Sequence, residues 1–498
     1  MISRAKLLSA SSLAILAASP VLADVTAQQV WDDWRTQLEM NGGDSLSIGA
    51  EMLDGDTLTV SDLTFSYSDD DVSVFADLGD IVLTENGDGT VSVTMDQDYP
   101  IVFSAEDVEM IFRISHRGMK VTVSGQPDAL QYDTSAEKFD FVLDSLETEN
   151  EDVKGDIRVS ATDLMASSRS TPGDIYGASG ATTIGKLELL VDIAPNDGSG
   201  EYLTFAGNMQ ALDVAFDAKV PTNVDMEDPN ALMQAGFALS GAVGLGRADY
   251  VFDINMDGDV AQGSVSNGAA QISGAISNDV LRYASQTNDI AMSLAIPQFP
   301  MPITFSAAGY GYNFEAPTSR SDDARPIAAG FNLTSVAVSD QIWDMFEPSS
   351  TLPRNPITLQ LSLVGTARAL FDFFDPAQQD AMMNSDMPFA LETLNLENLV
   401  IDGLGAMVAG GGQFTFDNSD MDSFAPLPRP EGEAGLRIDG LNALLDKLID
   451  TGLIPEEEVM APRMMMGMFT RSVGDDQMAI DIEINEKGQV KVNGNRVR

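Results

Sequence analysis

The sequence predicts a mainly β protein, built as an elongated, curved antiparallel meander sheet with a few amphipathic helices. Small or apolar residues alternate with polar ones along many segments, and the clearest of these is 357–374. Alternate side chains of a strand point to opposite faces, so this spacing predicts one buried face and one mostly wet face. Turn-forming pairs such as Asn86-Gly87 separate successive apolar runs, as hairpins require. We expect helices at the N-terminus, around Trp343 and near the C-terminus.

The amino terminus has the pattern of a secretory signal peptide over residues 1–23. A cationic start precedes an apolar run at 7–18, and the small residues Val21 and Ala23 stand before the predicted cleavage site. That run is shorter than the roughly 18 to 20 apolar residues that a membrane-spanning helix needs. The chain has no cysteine, and export without disulfides favours a location in a Gram-negative periplasm. Secretion beyond the periplasm is left open.

The chain is strongly acidic. It carries 27 Lys plus Arg against 77 Asp plus Glu, a formal net charge of −50. Nucleic acids and anionic lipid headgroups are bound through clustered cations, so the charge argues against both as partners. A hydrophobic content of 44% and the persistent alternation favour a folded sheet over disorder. We interpret the acidity as salt-adapted solubility in preference to cation storage.

The first part of the mature chain combines a helix with hairpins. Thr26 and Gln29 have capping-box spacing for a helix that ends near Asn41, and its two tryptophans are expected to dock on the sheet. Successive hairpins follow. One of them is predicted over 111–123, with its turn at 116–118.

Later helices are predicted from apolar spacing and caps. A short helix is expected at 231–236 and another after Ser339. Asp439 is predicted to cap an amphipathic helix over 441–449, and a methionine-rich helix follows, kinked or restarted at Pro462.

The densest run of prolines, at 296–302, suggests a boundary. We therefore divide the mature chain into an N-terminal β region with its leading helix, 24–300, and a C-terminal β region, 301–498, with a helical cover over 440–469. The mature length exceeds the roughly 250 to 300 residues at which one compact core stops growing. One continuous sheet that grows along its axis satisfies the same limit.

Motifs that suggest chemistry are better explained as structure. The calcium-loop pattern that begins at Asp253 has Ser264 where a bidentate glutamate is required, so a strand ending in an Asp-Gly turn is favoured. The phosphate-loop spacing at 180–186 is followed by a strand instead of a helix. His116 is the only histidine, and its cluster with Arg113, Arg117 and Lys120 is interpreted as charges flanking a turn. We predict no catalytic residue, metal site or cofactor.

Apolar residues at the C-terminal end and near Trp343 are the candidates for binding an apolar ligand. Methionine lines surfaces that accept varied apolar partners, so we expect Met464, Met468 and Phe469 to point inward over the sheet. The full candidate set is Trp343, Phe371, Phe373, Met464, Met468 and Phe469. Plain core packing is the commoner role for such residues.

Several motifs together resemble a Gram-negative envelope family known as domain of unknown function 2125. The matching segments are Val30-Trp31-Asp32-Asp33-Trp34, Ile342-Trp343, Leu352-Pro353-Arg354, Arg463-Met464-Met465-Met466 and Asn493-Gly494-Asn495-Arg496-Val497-Arg498. They cover essentially the whole mature chain. The family has no assigned catalytic residues, so the resemblance implies an envelope location and no activity. The repeated strands and polar turns are also similar to AsmA-type elongated β proteins, which shield lipid in a groove, although fold does not give function.

The sequence leaves three functions open. The leading hypothesis is a non-enzymatic periplasmic protein that binds or shields a lipid-like ligand, or serves the envelope, because long alternating strands leave room for a chain-like molecule. The second is an envelope protein–protein interaction module that uses sheet edges or the methionine-rich surface. The third is a carboxylate-based hydrolase, which requires two facing acids in a cleft and a raised pKa.

Overall fold

The computed structural model describes residues 25–40, 46–68, 71–105, 108–148 and 153–498, with side chains at all of these positions except 38–40. The predicted signal peptide lies outside the described residues. Within these ranges the helices are α1 (Ala27–Met40), α2 (Pro229–Gln234), α3 (Asp340–Phe346), α4 (Gln379–Met383), α5 (Leu441–Asp450) and α6 (Glu456–Phe469).

Strands make up most of the described chain. The first half contains β1 (Leu46–Ser47), β2 (Ala50–Asp54), β3 (Thr57–Ser68), β4 (Val72–Glu85), β5 (Val91–Met95), β6 (Asp98–Ala105), β7 (Val108–Arg117), β8 (Lys120–Gln126), β9 (Ala129–Thr148), β10 (Val153–Thr171), β11 (Ile175–Pro195), β12 (Tyr202–Pro221), β13 (Ala238–Leu245) and β14 (Arg247–Met256). The second half contains β15 (Asp259–Asn267), β16 (Ala270–Ser277), β17 (Leu281–Ala295), β18 (Ile303–Ala316), β19 (Arg325–Val338), β20 (Ile357–Ala369), β21 (Phe389–Gly403), β22 (Ala406–Asp417), β23 (Arg429–Asp439), β24 (Arg471–Gly474), β25 (Gln477–Ile484), β26 (Val490–Val492) and β27 (Asn495–Arg496).

These strands form one antiparallel sheet, and the predicted elongated meander is confirmed. Most strands pair with the strands that precede and follow them, as β17, β18, β19 and β20 do. The pairing is continuous across the proline run at 296–302, because β17 pairs with β18 on either side of it. The boundary at residue 300 stays a prediction.

Two stretches of the sheet depart from the simple meander in the same way. The long strand β4 pairs with β5 through one half and with β6 through the other, and the long strand β9 pairs with β8 and β7 in the same manner. The same arrangement recurs between β12 and β17. Strands β13 and β14 both pair with β12, and β15 and β16 both pair with β17. In each stretch two short strands lie end to end and occupy the place of one long strand.

A transverse row of irregular positions crosses the sheet at the level where these short strands meet. We call it the bulge line, and it consists of Gly49, Asp62, Gly79, Asp96, Gly118, Glu137, Asp163, Gly185, Ala211, Gly246, Gly268, Asp289, Ala308 and Ser335. About half of these residues have a positive φ, for example 55° at Asp163 and 51° at Asp289. Bulges bend a strand and increase its local twist, so the sheet is interrupted along one continuous line.

The apolar alternation changes phase by one residue at the bulge line. In β17, for example, apolar residues fall on odd numbers at 281–283 and on even numbers at 290–294. An extra residue in a strand reverses the face to which later side chains point, so the phase change keeps one face apolar on both sides of the line. Val60 and Leu63, which flank Asp62, lie in the same buried cluster, as this explanation requires.

Helix α1 covers one end of the apolar face. The predicted capping box is confirmed, because the amide of Thr26 donates to Gln29 Oε1 over 3.0 Å and the amide of Gln29 donates to Thr26 Oγ1 over 3.3 Å. Trp31 is fully buried, as its predicted docking requires, in a cluster with side chains from β3, β4, β5, β8 and β9. Burying a side chain of this size contributes on the order of 2–3 kcal/mol of transfer free energy.

Two predicted elements are wrong in detail. The segment 111–123 is not a hairpin, because β7 and β8 both pair with β9 and not with each other. Gly118, with φ 66°, belongs to the bulge line and not to a turn. The long strand at 357–374 ends at Ala369, where the chain leaves the sheet.

The cap of α5 is also corrected. Asp439 ends β23, and Gly440, with φ 71°, stands at the N-cap without a side chain that can cap. The carboxylate of Asp476 accepts from the amides of Asn442 and Ala443 over 3.1 and 2.9 Å instead.

Candidate functional site

The two faces of the sheet differ in charge. Directly opposed residues of antiparallel strands share a face, so the pairing registers define rows across the sheet. Three neighbouring rows contain no charged residue from β13 to β20 and are Val243-Ile272-Ser285-Tyr312-Phe331-Leu361, Gly241-Gly274-Tyr283-Phe314-Ala329-Leu363 and Leu245-Ala270-Thr287-Tyr310-Leu333-Leu359. We call this surface the apolar face. Because the chain has a formal net charge of −50, a surface without charged residues shows that charge is strongly segregated between the two faces of the sheet.

Much of the apolar face is uncovered. Large side chains with exposed fractions between 36% and 49% lie along it and are Phe216, Leu239, Val243, Ile272, Leu281, Tyr310, Tyr312, Phe314, Phe331, Leu361 and Ile401. Monomeric soluble proteins rarely expose contiguous apolar patches larger than a few hundred Å², and larger ones mark interaction sites or ligand-binding surfaces.

Aromatic rings cluster near the centre of the uncovered surface. The rings of Tyr283 and Tyr312 stack with centroids 5.3 Å apart. The ring centroid of Tyr310 lies 6.0 Å from the centroids of both Tyr312 and Phe331. Aromatic pairs of this kind stabilise each other and present flat apolar area without added side-chain flexibility.

The opposite face is polar. Rows there contain Gln271, Gln286, Asn332 and Gln360, and charged residues such as the Arg282–Glu315 ion pair, at 2.8 Å, lie on this side. Cavities of about 390 and 520 Å³ open among these polar side chains. This face has the polar groups that keep an extended acidic sheet hydrated.

A buried polar cluster lies where α1 meets the uncovered part of the apolar face. The carboxylate of Asp33, whose residue is 5% exposed, accepts from the hydroxyls of Tyr132 and Ser170, each over 2.6 Å. The Tyr176 hydroxyl lies 2.8 Å from that of Ser170, and Gln37 Nε2 donates to Asp33 over 2.9 Å. We call these five residues the Asp33 cluster.

Burial perturbs the two tyrosines of the Asp33 cluster. Burial, together with the adjacent Asp33 carboxylate, raises the pKa of Tyr132 far above its usual value. Burial also raises the pKa of Tyr176, to about 12. Both phenols therefore stay protonated and remain donors at every physiological pH.

A cavity of about 340 Å³ borders the Asp33 cluster. Its walls include Trp34, Tyr132, Ser170, Tyr176 and Phe216. Phe216 also belongs to the uncovered apolar face, so the cavity opens directly onto that surface. Cavities that bind small molecules measure about 300 to 1,000 Å³ and combine apolar walls with a few polar groups.

The structure does not bring the predicted ligand-binding residues together. Trp343, in α3, is half-buried at the end of the sheet where β20 begins, while Phe371 and Phe373 follow the end of β20. The length of β20, roughly 40 Å, separates the two groups. The ring of Phe373 packs against Phe389 at 5.3 Å. A ligand-binding role for these residues stays a prediction.

The predicted inward orientation of the methionines is wrong. Met464 and Met468 of α6 are 68% and 67% exposed, and Phe469 is 40% exposed. Only Val459 of this helix is buried, because α6 makes limited contact with the rest of the described chain. The helix thus presents an exposed apolar surface at one end of the sheet.

The motifs interpreted as structure lie in strands and turns. Asp257 and Gly258, both with positive φ, form the hairpin turn between β14 and β15. Residues 180–186 run through the middle of β11. In the basic cluster, Arg113 pairs with Asp98 and Asp144 over 2.8 and 2.6 Å.

Sequence reasoning missed the Asp33 cluster. The docking helix was predicted, but Asp33 looked like any acid on its wet side, and its partners Tyr132 and Ser170 lie 99 and 137 residues away in the sequence. The available signal was a pair of acids, Asp32 and Asp33, between two tryptophans on a helix that is expected to dock.

The chain matches no protein-family model, no curated protein and no solved structure. The resemblance to the envelope family therefore stays a prediction. Among the described residues, no helix is both long and apolar enough to cross a membrane.

Proposed function

We propose that the chain is an exported envelope protein that holds an apolar, chain-like molecule such as a lipid acyl chain on its apolar face. The observation that carries this proposal is the uncovered, charge-free surface that runs across β13 to β20 in a chain of formal charge −50. Transfer of apolar surface out of water is worth about 25 cal/mol per Å², so a hydrocarbon chain laid on these side chains stabilises both partners.

Glycine and alanine give this surface relief that suits a chain. Gly241 and Gly274 face each other between the larger side chains of Leu239 and Val243. These two glycines leave a shallow depression beside taller neighbours, in a row that continues through the rings of Tyr283 and Phe314. An extended hydrocarbon chain makes more dispersion contacts there than on a flat surface.

A charge placed within the apolar face tests the proposal. Ile272→Glu puts a carboxylate beside Val243 and Ser285, where a bound chain would have to strip it of water. We expect the amount of lipid that co-purifies under gentle conditions, measured by mass spectrometry, to fall about tenfold, which corresponds to roughly 1.4 kcal/mol.

The neighbouring Ser273→Glu provides the matched control. Ser273 lies on the same strand but points to the polar face, opposite Ala242. It adds the same charge and should leave bound lipid unchanged. Wild-type protein that carries no lipid, or equal loss in both variants, would contradict the proposal.

A second function, docking of an envelope protein, is favoured by α6. Five apolar side chains of this helix are exposed and are Met460, Met464, Met465, Met468 and Phe469. Methionine surfaces adapt to varied apolar partners. Photo-crosslinking from position 468 in cells, compared with position 457 on the charged first turn of the same helix, distinguishes a partner at this surface from random capture.

A further inference from the structure

We propose that the cavity beside the Asp33 cluster binds an ammonium headgroup, so that the molecule held on the apolar face is an amphiphile whose polar end carries a positively charged amine. This inference rests on the proposed function, because the apolar face has to hold the tail. It adds the chemical class of the headgroup and the place where it binds.

The first support is a buried carboxyl group without a cationic partner. In the part of the chain that the structure describes, no Lys, Arg or His nitrogen forms an ion pair with Asp33 within 4.0 Å. Its carboxylate is stabilised by neutral donors alone, namely two or three hydroxyls and the amide of Gln37. Asp33 does not line the cavity itself, but it is hydrogen-bonded to Tyr132 and Ser170, which do. Opposite charge nearby favours the ionised form of a carboxylate, so a cation bound in the cavity adds a charge interaction with Asp33 across these hydroxyls.

The second support is the direction of the hydrogen bonds. Tyr132 and Ser170 donate their hydroxyl hydrogens to Asp33, and Tyr176 points its hydroxyl toward Ser170 and Asp33. Each of these hydroxyls has a single hydrogen, which is used within the cluster, so toward other groups each oxygen can act only as an acceptor, as Tyr132 does for Trp34 and Tyr176 for Gln37. Hydroxyl oxygens that can only accept complement an ammonium group and disfavour a carboxylate or a phosphate.

The third support is the arrangement of aromatic rings. Trp34 and Tyr132 stack with centroids 6.4 Å apart, and both line the cavity together with Tyr176. A cation over an aromatic face is attracted by the ring electrons, and this attraction is strongest where water is excluded. Arg169 also borders the cavity, but it is exposed and lies on the polar face, because successive residues of a strand point to opposite faces.

The fourth support is continuity with the tail site. Phe216 borders the cavity and also belongs to the uncovered apolar face. A volume of about 340 Å³ lies at the small end of the range for ligand cavities, which suits a headgroup with a few carbons. The rest of the chain then has to lie on the apolar face beyond Phe216.

Three probes of equal chain length test the inference. Dodecylamine, dodecanol and dodecanoate are titrated below their aggregation limits, at pH 7 and about 0.3 M salt, so that the net negative charge of the protein is screened. We expect the wild-type protein to bind dodecylamine at least about tenfold more tightly than dodecanol by calorimetry, and dodecanoate most weakly.

Removing the charge at position 33 then tests whether Asp33 causes the preference for dodecylamine over dodecanol. Asp33→Asn should reduce the amine preference to below about threefold and leave dodecanol affinity unchanged. Asp217→Asn removes the same charge from the polar face next to Phe216 and should leave the preference intact. An amine preference that survives Asp33→Asn, or is lost equally in both variants, overturns the inference.

A second pair of variants covers the case in which Asp33→Asn fails to fold. Ser168, which lines the cavity, faces Tyr132, so Ser168→Lys supplies an internal ammonium that should block dodecylamine. Ser167→Lys, on the other face, should not. Equal binding of dodecylamine and dodecanol by the wild-type protein overturns the headgroup assignment and leaves the proposed function standing, whereas no binding of any probe overturns the proposed function as well.

Discussion

At the scale of single residues, carboxylates that receive several donors fix the ends of elements. Asp33 holds α1 to β9 and β10 through hydroxyl groups, and Asp476 caps α5 through backbone amides. Burial alone would raise the pKa of Asp476, but the hydrogen bonds from Ala443 and Asn442 outweigh it and hold this pKa below its usual value. In both cases the acid works through partners that are distant in sequence.

The cap at Asp476 makes folding of α5 depend on pH. A carboxyl whose pKa is lower in the folded state stabilises that state above the unfolded pKa of about 3.9, and this contribution disappears as the pH falls through the folded pKa. We expect Asp476→Ala to lower the free energy of unfolding by about 1 kcal/mol at pH 7 and by progressively less below pH 4.

Urea titrations followed by circular dichroism between pH 3 and pH 7 measure this difference. Asp475→Ala is the matched control, since Asp475 is an exposed neighbour for which the described contacts include no cap. A loss at Asp476 that stays the same at all pH values would show that the charge of the carboxylate plays no part.

At the scale of elements, the bulge line explains why strands of about 20 residues can exist in this fold. Strands usually contain five or six residues, whereas β9, β11 and β12 contain 20, 21 and 20. Each consists of two shorter segments joined at a bulge, and neighbouring strands place their bulges side by side. The sheet can therefore relieve twist along one line instead of accumulating it along each strand.

Close approach along the bulge line predicts opposite effects for the same substitution at two glycines. A Cβ added at Gly49 would lie 2.6 Å from Cβ of Asp62, whose backbone is fixed in the left-handed region. We expect Gly49→Ala to lower the free energy of unfolding by about 1–3 kcal/mol. Gly467 lies in α6, where an added Cβ meets nothing within 4 Å. Gly467→Ala should raise helix stability by about 0.5–1 kcal/mol.

Thermal unfolding of both variants provides the comparison. If Gly49→Ala leaves the free energy of unfolding unchanged, the backbone around Gly49 can move away from Asp62 without cost, and the bulge line is not tightly packed there.

The elements that sequence predicted and those it missed differ in the range of their interactions. The capping box at Thr26 and the turn at Asp257-Gly258 are local, so the sequence was sufficient for both. Gly118 with its polar neighbours has the composition of a hairpin turn, and only its pairing with β9 shows that the strand direction continues. The phase change between 283 and 290 was a usable signal of the bulge line. The cap of α5 lies more than 30 residues from the helix start and left no local signal.

At the scale of the whole molecule, stability is distributed unevenly. The large cluster of buried apolar side chains in the described part of the chain lies under α1, against β3, β4, β5, β8 and β9. Strands beyond β12 gain most of their contacts from their immediate neighbours. Chains of this kind approximate a one-dimensional series in which each unit depends on the next.

This arrangement predicts that damage under α1 stays local. Trp31→Ala leaves a cavity in the cluster and should cost about 3–5 kcal/mol there. Hydrogen exchange followed by mass spectrometry should show faster exchange in β3 to β9 and unchanged exchange in β18 to β22. Trp343→Ala, in the short helix α3, should leave β3 to β9 unchanged. Uniform loss of protection over all strands would mean that the sheet unfolds as a single unit.

The segregation of charge also has a consequence for motion. Neighbouring strands are spaced about 4.8 Å apart, so the roughly twenty strand positions across the sheet extend over about 100 Å, more than twice the 40–45 Å of a complete bilayer. Under the proposed function, a hydrocarbon tail lying across β13 to β20 meets apolar side chains at every strand, while the cavity beside the Asp33 cluster is the position that fixes the molecule. We therefore expect the tail of such a ligand to shift from one strand to the next with low barriers, while the acidic opposite face stays hydrated.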